Sequence, residues 1–171
     1  MTLAITIDTR EQRPWSWLPS EATVTVAGLR TGDYAITGDD GFAIERKSLD
    51  DFLGTISSGW DRFTRELWRM SGWPARVVIV EADVAAVYFE ASGQGPQHRH
   101  NLLTPSFVAK RIAELTMRNV SVIFAGDDQR ASRIALAILR ERQRQQGWTV
   151  ETWHHLNELG QRVDEKGNKI R

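Results

Sequence analysis

The chain has 171 residues, 41% hydrophobic and 26% charged, with 22 basic residues matched by 22 acidic ones. That length suits one domain with a substantial core, hiding roughly 70% of the unfolded surface. The lack of cysteine excludes disulfides, thiolate metal sites and a cysteine nucleophile, and no apolar run approaches the ~20 residues that span a bilayer.

Residues 1–8 show neither a basic n-region nor a long apolar stretch, so no signal peptide is expected and a cytoplasmic protein is. Leu3–Ile7 reads as a first strand ending at Asp8, and Ala22–Ala27, rich in β-branched residues, as a second. Tyr34–Ile36 and Phe42–Ile44 flank the turn-forming Gly38-Asp39-Asp40-Gly41 and predict a β-hairpin. A helix follows, with Trp60, Phe63 and Leu67 on one face and Arg62, Arg65 and Arg69 on another, ending near Gly72 and Pro74. Arg76–Val80 and Val120–Ala125 read as fully buried strands. Between them, residues 91–104 are rich in Gly, Gln and His and read as a loop. Thr104 caps a helix starting at Pro105 with the stripe Val108, Ile112 and Leu115. Another helix spans 129–145, with Ala131, Ile134, Ala135 and Ile138 inward. The pattern predicts one α/β domain over 1–146 with a central mixed sheet flanked by helices, followed by a partly flexible extension over 147–171.

Charge is distributed unevenly. Residues 1–51 hold 5 basic and 9 acidic residues, a net of −4, and residues 105–145 hold 8 and 4, a net of +4. An acidic cluster for a cation beside a basic segment for phosphate suits a nuclease, and equally suits surface charges that pair within the fold.

In a strand, Glu45 and Lys47 share one side while Arg46 takes the other. The hairpin brings Asp33 to the end of the second arm, so two carboxylates and an ammonium converge. Hard divalent cations such as Mg²⁺ prefer such oxygens and keep several waters. The pair can therefore hold a cation against a phosphodiester while the lysine orients water or stabilises developing charge. Asp…Glu-x-Lys is the arrangement of many restriction-type nucleases, though an isolated Glu-x-Lys triplet is more often a solvated strand edge.

Read in full, Gly32-Asp33-Tyr34 followed by Glu45-Arg46-Lys47-Ser48-Leu49-Asp50-Asp51 resembles the Gly-Asp…Glu-Arg-Lys-x-x-x-Asp signature of the XPF-type (ERCC4-domain) structure-specific endonucleases. Ile7-Asp8-Thr9-Arg10-Glu11 is similar to the family's first-strand Asp-x-Arg-Glu. Leu53–Gly59 and Val77–Glu81 match two further segments, so the resemblance covers about residues 3–145. It implies a restriction-endonuclease-like fold and an endonuclease using Mg²⁺ or Mn²⁺. Asp33 and Glu45 would be metal ligands, Lys47 catalytic, and Asp8 a further acid at the metal or its water shell. Arg46 and Asp51 would support the active site, Arg46 through an internal ion pair and Asp51 by orienting Lys47 or Arg10. Arg10 would contact DNA, with Glu11 secondary; a charge pair bracing the strand end is the other reading of Arg10 and Glu11. The helix stripe itself offers Arg62 and Arg65 as DNA contacts through phosphates, because their helix follows the catalytic strand, and a solvated helix face is its other reading. Glu81 reads mainly as structural.

The implied substrate is branched or single-strand/double-strand junction DNA, in repair, recombination or phage DNA processing. Arg62–Leu67 is most similar to the stand-alone bacterial or phage branch, which places the protein in a bacterial or phage-infected cell. The tandem helix-hairpin-helix module of cellular relatives is not expected. Dimerisation, homo- or heteromeric, is expected through residues 105–145. Two other readings are a non-catalytic DNA-binding or scaffold subunit, as in family members that have lost the acids, and an RNA or nucleotide phosphoesterase. His98 and His100 read as polar loop residues, His154-His155 carries no assignment, and Trp15 and Trp17 read as packing more than base stacking.

Overall fold

The computed structural model describes residues 2–95 and 103–146. Within them lie six strands, β1 (Leu3–Asp8), β2 (Ala22–Ala27), β3 (Tyr34–Ile36), β4 (Ile44–Lys47), β5 (Arg76–Val80) and β6 (Val120–Phe124), and five helices, α1 (Leu49–Ile56), α2 (Trp60–Arg69), α3 (Val84–Ala91), α4 (Pro105–Thr116) and α5 (Asp128–Gln145). The strands form one sheet in the order β2-β1-β3-β4-β5-β6. β3 runs antiparallel to β1 and β4, while β1/β2, β4/β5 and β5/β6 are parallel pairs. This is the α/β fold with a central mixed sheet that the sequence predicts.

Period-two alternation divides the core between the two sheet faces. On β5, Val77 and Ile79 join Ile5, Ile7, Tyr34 and Ile44 against Ala131, Ala135, Leu136 and Leu139 of α5. Val78 and Val80 face the other way, onto Phe52 and Ile56 of α1, Phe63 and Leu67 of α2, Val87 of α3, and Val108 and Leu115 of α4. Each of the Val, Leu, Ile and Phe side chains among them contributes about 1.5–3 kcal/mol on burial. The predicted cap of α4 is present: the Thr104 hydroxyl accepts from the Phe107 amide, with Pro105 in the first turn.

Two helices go beyond the predicted elements. α1 begins two residues after β4, capped by Ser48, and α3 is capped by Asp83. Both span eight residues, too few for a 3.6-residue period to stand out. β6 is less buried than its composition predicts, with Ser121 exposed and 122–124 half-buried, because it is the sheet edge opposite β2. On α5 the fully buried positions are Ala131, Ser132, Ala135, Leu136 and Leu139, while Ile134 and Ile138 are half-buried.

The chain divides into compact units at 139/140. The described part of the second unit is the last turns of α5, where Arg144 pairs with Glu141. The predicted extension over 147–171, residues 96–102 of the predicted loop over 91–104, and His98, His100, His154 and His155 lie outside the described residues. No helix among the described residues is long and apolar enough to cross a membrane.

Candidate active site

The site begins with a backbone requirement. Gly32 has φ +79°, and a Cβ there would lie 2.6 Å from that of Ala43, so only glycine brings the chain this close to the hairpin's second arm. The next residue, Asp33, is tied on both sides: its N–H donates to Ile44 O and its carbonyl accepts from Asp8 N–H, each at 2.8 Å. Its Oδ2 accepts from the Arg46 amide at 2.7 Å. From β4, Glu45 and Lys47 join Asp33 in a cleft of about 540 Å³, and Lys47 Nζ donates to Glu45 Oε1 at 2.5 Å. The predicted convergence of Asp33, Glu45 and Lys47 is therefore present in the fold.

Burial, followed by the negative charge of Glu45, pushes the Asp33 carboxyl up to about 7, against the opposing Arg46 amide and Lys47 ammonium. For Lys47, burial works against the charge, but Glu45 and Asp33 outweigh it and raise its pKa above the ordinary lysine value. The cleft thus holds a firmly protonated lysine beside a pair of carboxylates that repel one another.

The other predicted residues divide. Asp8 is buried, and both its oxygens are engaged: Oδ1 accepts from Arg10 N at 2.8 Å and Nε at 2.6 Å, and Oδ2 from Arg10 Nη2 at 3.2 Å and Leu29 N at 2.6 Å. Burial opposes its ionisation, yet these donors hold the carboxyl below its usual range. No group of three acidic or imidazole ligands forms among the described residues. Arg10, 68% exposed, lies on the cleft wall. Arg46 turns to the opposite side from Glu45 and Lys47 and bonds Glu81 through Nε and Nη2 at 2.7 and 2.6 Å, and Glu11 through Nη1 at 3.2 Å. Asp51 lines the cleft but accepts from Ser48 Oγ at 2.7 Å in the first turn of α1, and it bonds neither Lys47 nor Arg10.

The arginines differ from expectation in a physically simple way. Arg62 and Arg69 of α2 line the cleft. Arg65 is exposed but lies outside that lining, since at about 100° per residue it points directly away from buried Phe63 and Leu67. The remaining cleft cations, Arg13 and Arg30, come from the stretches around β2. None comes from the basic segment 105–145, several of whose cations pair elsewhere: Arg111 with Glu114, Arg130 with Asp127, and Arg133 with Glu21. Arg13 and Arg30 carry no motif in the sequence and reach the site only through the strand order. Trp15 is buried, stacked on Tyr34 at 4.5 Å, with Trp17 edge-on to both, so these rings are core elements.

The ERCC4 domain model matches residues 7–137, and the chain belongs to that family. Its fold is similar to that of XPF from Aeropyrum pernix, with a TM-score of 0.60 at 21% identity, over 86% of this chain and 64% of that one. It is also similar to XPF from Aeropyrum pernix in complex with DNA, with a TM-score of 0.58 at 21% identity, over 88% and 70%. The chain thus spans less than two thirds of the first of these structures. A comparison with curated proteins finds no match.

Proposed function

We propose that this chain is a divalent-cation-dependent DNA endonuclease that hydrolyses phosphodiester bonds at branched or single-strand/double-strand junction DNA. The observation that carries the reading is the Asp33 carboxyl, pushed up to about 7 in a cleft shared with Glu45, Lys47 and five exposed arginines besides the half-buried Arg46. Two mutually repelling carboxylates fit a hard cation, and their oxygens suit Mg²⁺ or Mn²⁺. Asp33 and Glu45 would hold the ion. When bound, it would polarise a phosphoryl oxygen and make water a better nucleophile at neutral pH.

The chain's own groups supply the rest. Lys47 Nζ, held by Glu45, remains a protonated donor for an oxygen that gains charge during hydrolysis. Arg10, Arg13, Arg30, Arg62 and Arg69 grip the phosphate backbone on either side, which positions the strand without reading bases. Asp8 acts behind the site, holding Arg10, rather than as a third ligand. Family membership and the similarity to a DNA-bound XPF support DNA as the polymer; repair, recombination or phage DNA processing is the role we infer. A dimer through residues 105–145 belongs to the same proposal. The inward stripe of α4 is already spent on the sheet, so contacts would use outward residues such as Met117, 84% exposed.

Labelled flap, fork and linear duplex DNA, and an RNA duplex, incubated with Mg²⁺ or Mn²⁺, test the reading. Wild type should cut flap or fork DNA only with the ion, and Asp33→Ala should not. Equal cutting by both proteins sinks the site. Cutting of RNA alone overturns the substrate, and retarded mobility without any cutting replaces the enzyme with a binding subunit. Light scattering of the intact chain reports the dimer.

A further inference from the structure

We propose that Trp15 and Glu81 are positioning residues that hold the Asp33 carboxylate at the cleft face, acting through Arg46. The inference rests on the reading of Asp33 as a cation ligand.

The Asp33 carboxylate depends on one amide. Its Oδ2 accepts from Arg46 N, and no other hydrogen bond to that carboxylate occurs among the described residues. On the β3 side Arg46 has no ladder partner, because β3 and β4 pair at a single register, Tyr34 opposite Ile44, and its backbone is held in the sheet only by β5, opposite Ile79. The side chain of Arg46 supplies the missing constraint. Its guanidinium lies fork-to-fork on Glu81, a geometry that fixes the planes of both groups. Glu81 is anchored at the end of β5 by its own amide, which donates to Lys47 O at 2.8 Å.

Trp15 closes the circuit. Its Nε1–H donates to Glu81 Oε1 at 2.7 Å, the same oxygen that takes Arg46 Nε. Its backbone N–H donates to the Tyr34 hydroxyl at 2.9 Å, and its ring stacks on the Tyr34 ring with an 18° interplanar angle. Tyr34 follows Asp33 in the chain. The path therefore runs from the Asp33 carboxylate through Arg46, Glu81, Trp15 and Tyr34 back to the Asp33 backbone. Four chain segments, of which those carrying Asp33 and Arg46 share only the one-register β3/β4 ladder, are joined in one ring. A tryptophan needed only for packing requires some acceptor for its N–H; here that acceptor orients the arginine whose amide holds the ligand.

Trp15→Phe keeps an aromatic ring against Tyr34 while removing the Nε1–H together with part of the indole's volume, and Glu81→Gln keeps the volume and removes the charge. Mn²⁺ binding to the DNA-free protein by calorimetry, kcat and KM on flap DNA, and the melting temperature are measured for each variant and for the pair together. Each single change should weaken Mn²⁺ binding and lower kcat about tenfold, with KM within about twofold. The double variant should lose no more than the worse single one, because both break one circuit. Wild-type Mn²⁺ affinity and kcat in Trp15→Phe, whatever its melting temperature, overturn the proposal and leave the indole as packing; so do losses that multiply in the double variant. Were wild type to bind Mn²⁺ yet cut no DNA, the nuclease reading would fall while calorimetry still decided the role of Trp15. Absence of Mn²⁺ binding by wild type would overturn both.

Discussion

The two sides of β4 carry the same charges and use them differently. On one side a single cation, Arg46, faces two carboxylates, Glu11 and Glu81; on the other a single cation, Lys47, is set beside Glu45 and Asp33. A guanidinium offers five donors in a rigid fork, so Arg46 reaches both acids, and with Trp15 the trio closes on itself. An ammonium is a point charge. Lys47 commits to Glu45, and Asp33 is left with one amide and a pKa near 7. The first trio is a brace. The second is short of positive charge, which is the condition a divalent cation relieves. What separates structure from chemistry here is how completely the donors match the acceptors, with charge count held equal.

The comparison breaks most visibly at Asp33. Asp33→Ala should cut the rate at least about a thousandfold in single-turnover cleavage, several kcal/mol of transition-state stabilisation, while melting no lower than wild type. A variant that keeps a tenth of the rate would show that the acid is dispensable. Arg46→Ala should produce the opposite pattern, leading with stability. It strands Glu11 and Glu81, both under 10% exposed, at a cost of about 3–5 kcal/mol, or roughly 10 °C in melting temperature for a chain of this size. A fall of only a degree or two would mean that the closed trio braces nothing.

A third expectation concerns proton linkage. Asp33 titrates near 7 in the fold and near 3.9 in an unfolded chain. Between those values the unfolded state releases the proton and the folded state keeps it, so this group's contribution to stability is full below about pH 4 and is lost as pH rises through 7. Asp33→Asn does not titrate. Its melting temperature relative to wild type should climb by a few degrees from pH 4 to 7 and then level off, and Mn²⁺ at pH 7.5 should raise the wild-type value and not that of the variant. A constant difference across the window would show that Asp33 is not the strained acid.

How much of this was readable from residues alone follows from how local each feature is. Asp33, Glu45 and Lys47 were legible because a hairpin and a period of two are short-range, and Gly32 announces the turn beside them. The arginines were not. Arg13 and Arg30 flank β2, which β1 and β3 separate from β4 in the sheet, and only the strand order carries them to the cleft. The basic stretch 105–145 was visible as charge, but its partners lie three residues away in Glu114 and Asp127, so several of its cations are spent locally. The helices α1 and α3 were missed because two turns show too little periodicity, though Ser48 and Asp83 were available as caps. The bond from Trp15 to Glu81 joins residues 66 positions apart; nothing in either neighbourhood signals it.

The smallest effect expected distinguishes faces of one helix. Arg62 and Arg69 of α2 line the cleft and Arg65 stands away from it, although all three are exposed and identical in type. If the cleft holds phosphates, replacing Arg62 by Ala removes about one contact, so DNA affinity should fall several-fold and the slope of log affinity against log salt should decrease by about 1. Arg69→Ala should do less, because Arg69 already shares its charge with Glu66 at 3.8 Å. Arg65→Ala should leave the slope unchanged. Binding isotherms on flap DNA at several salt concentrations, with Ca²⁺ replacing the active ion, measure all three. Equal slopes for Arg62→Ala and Arg65→Ala would mean that α2 meets DNA as a diffuse positive surface, and the distinction between a lined cleft and a charged exterior would fail at its wall.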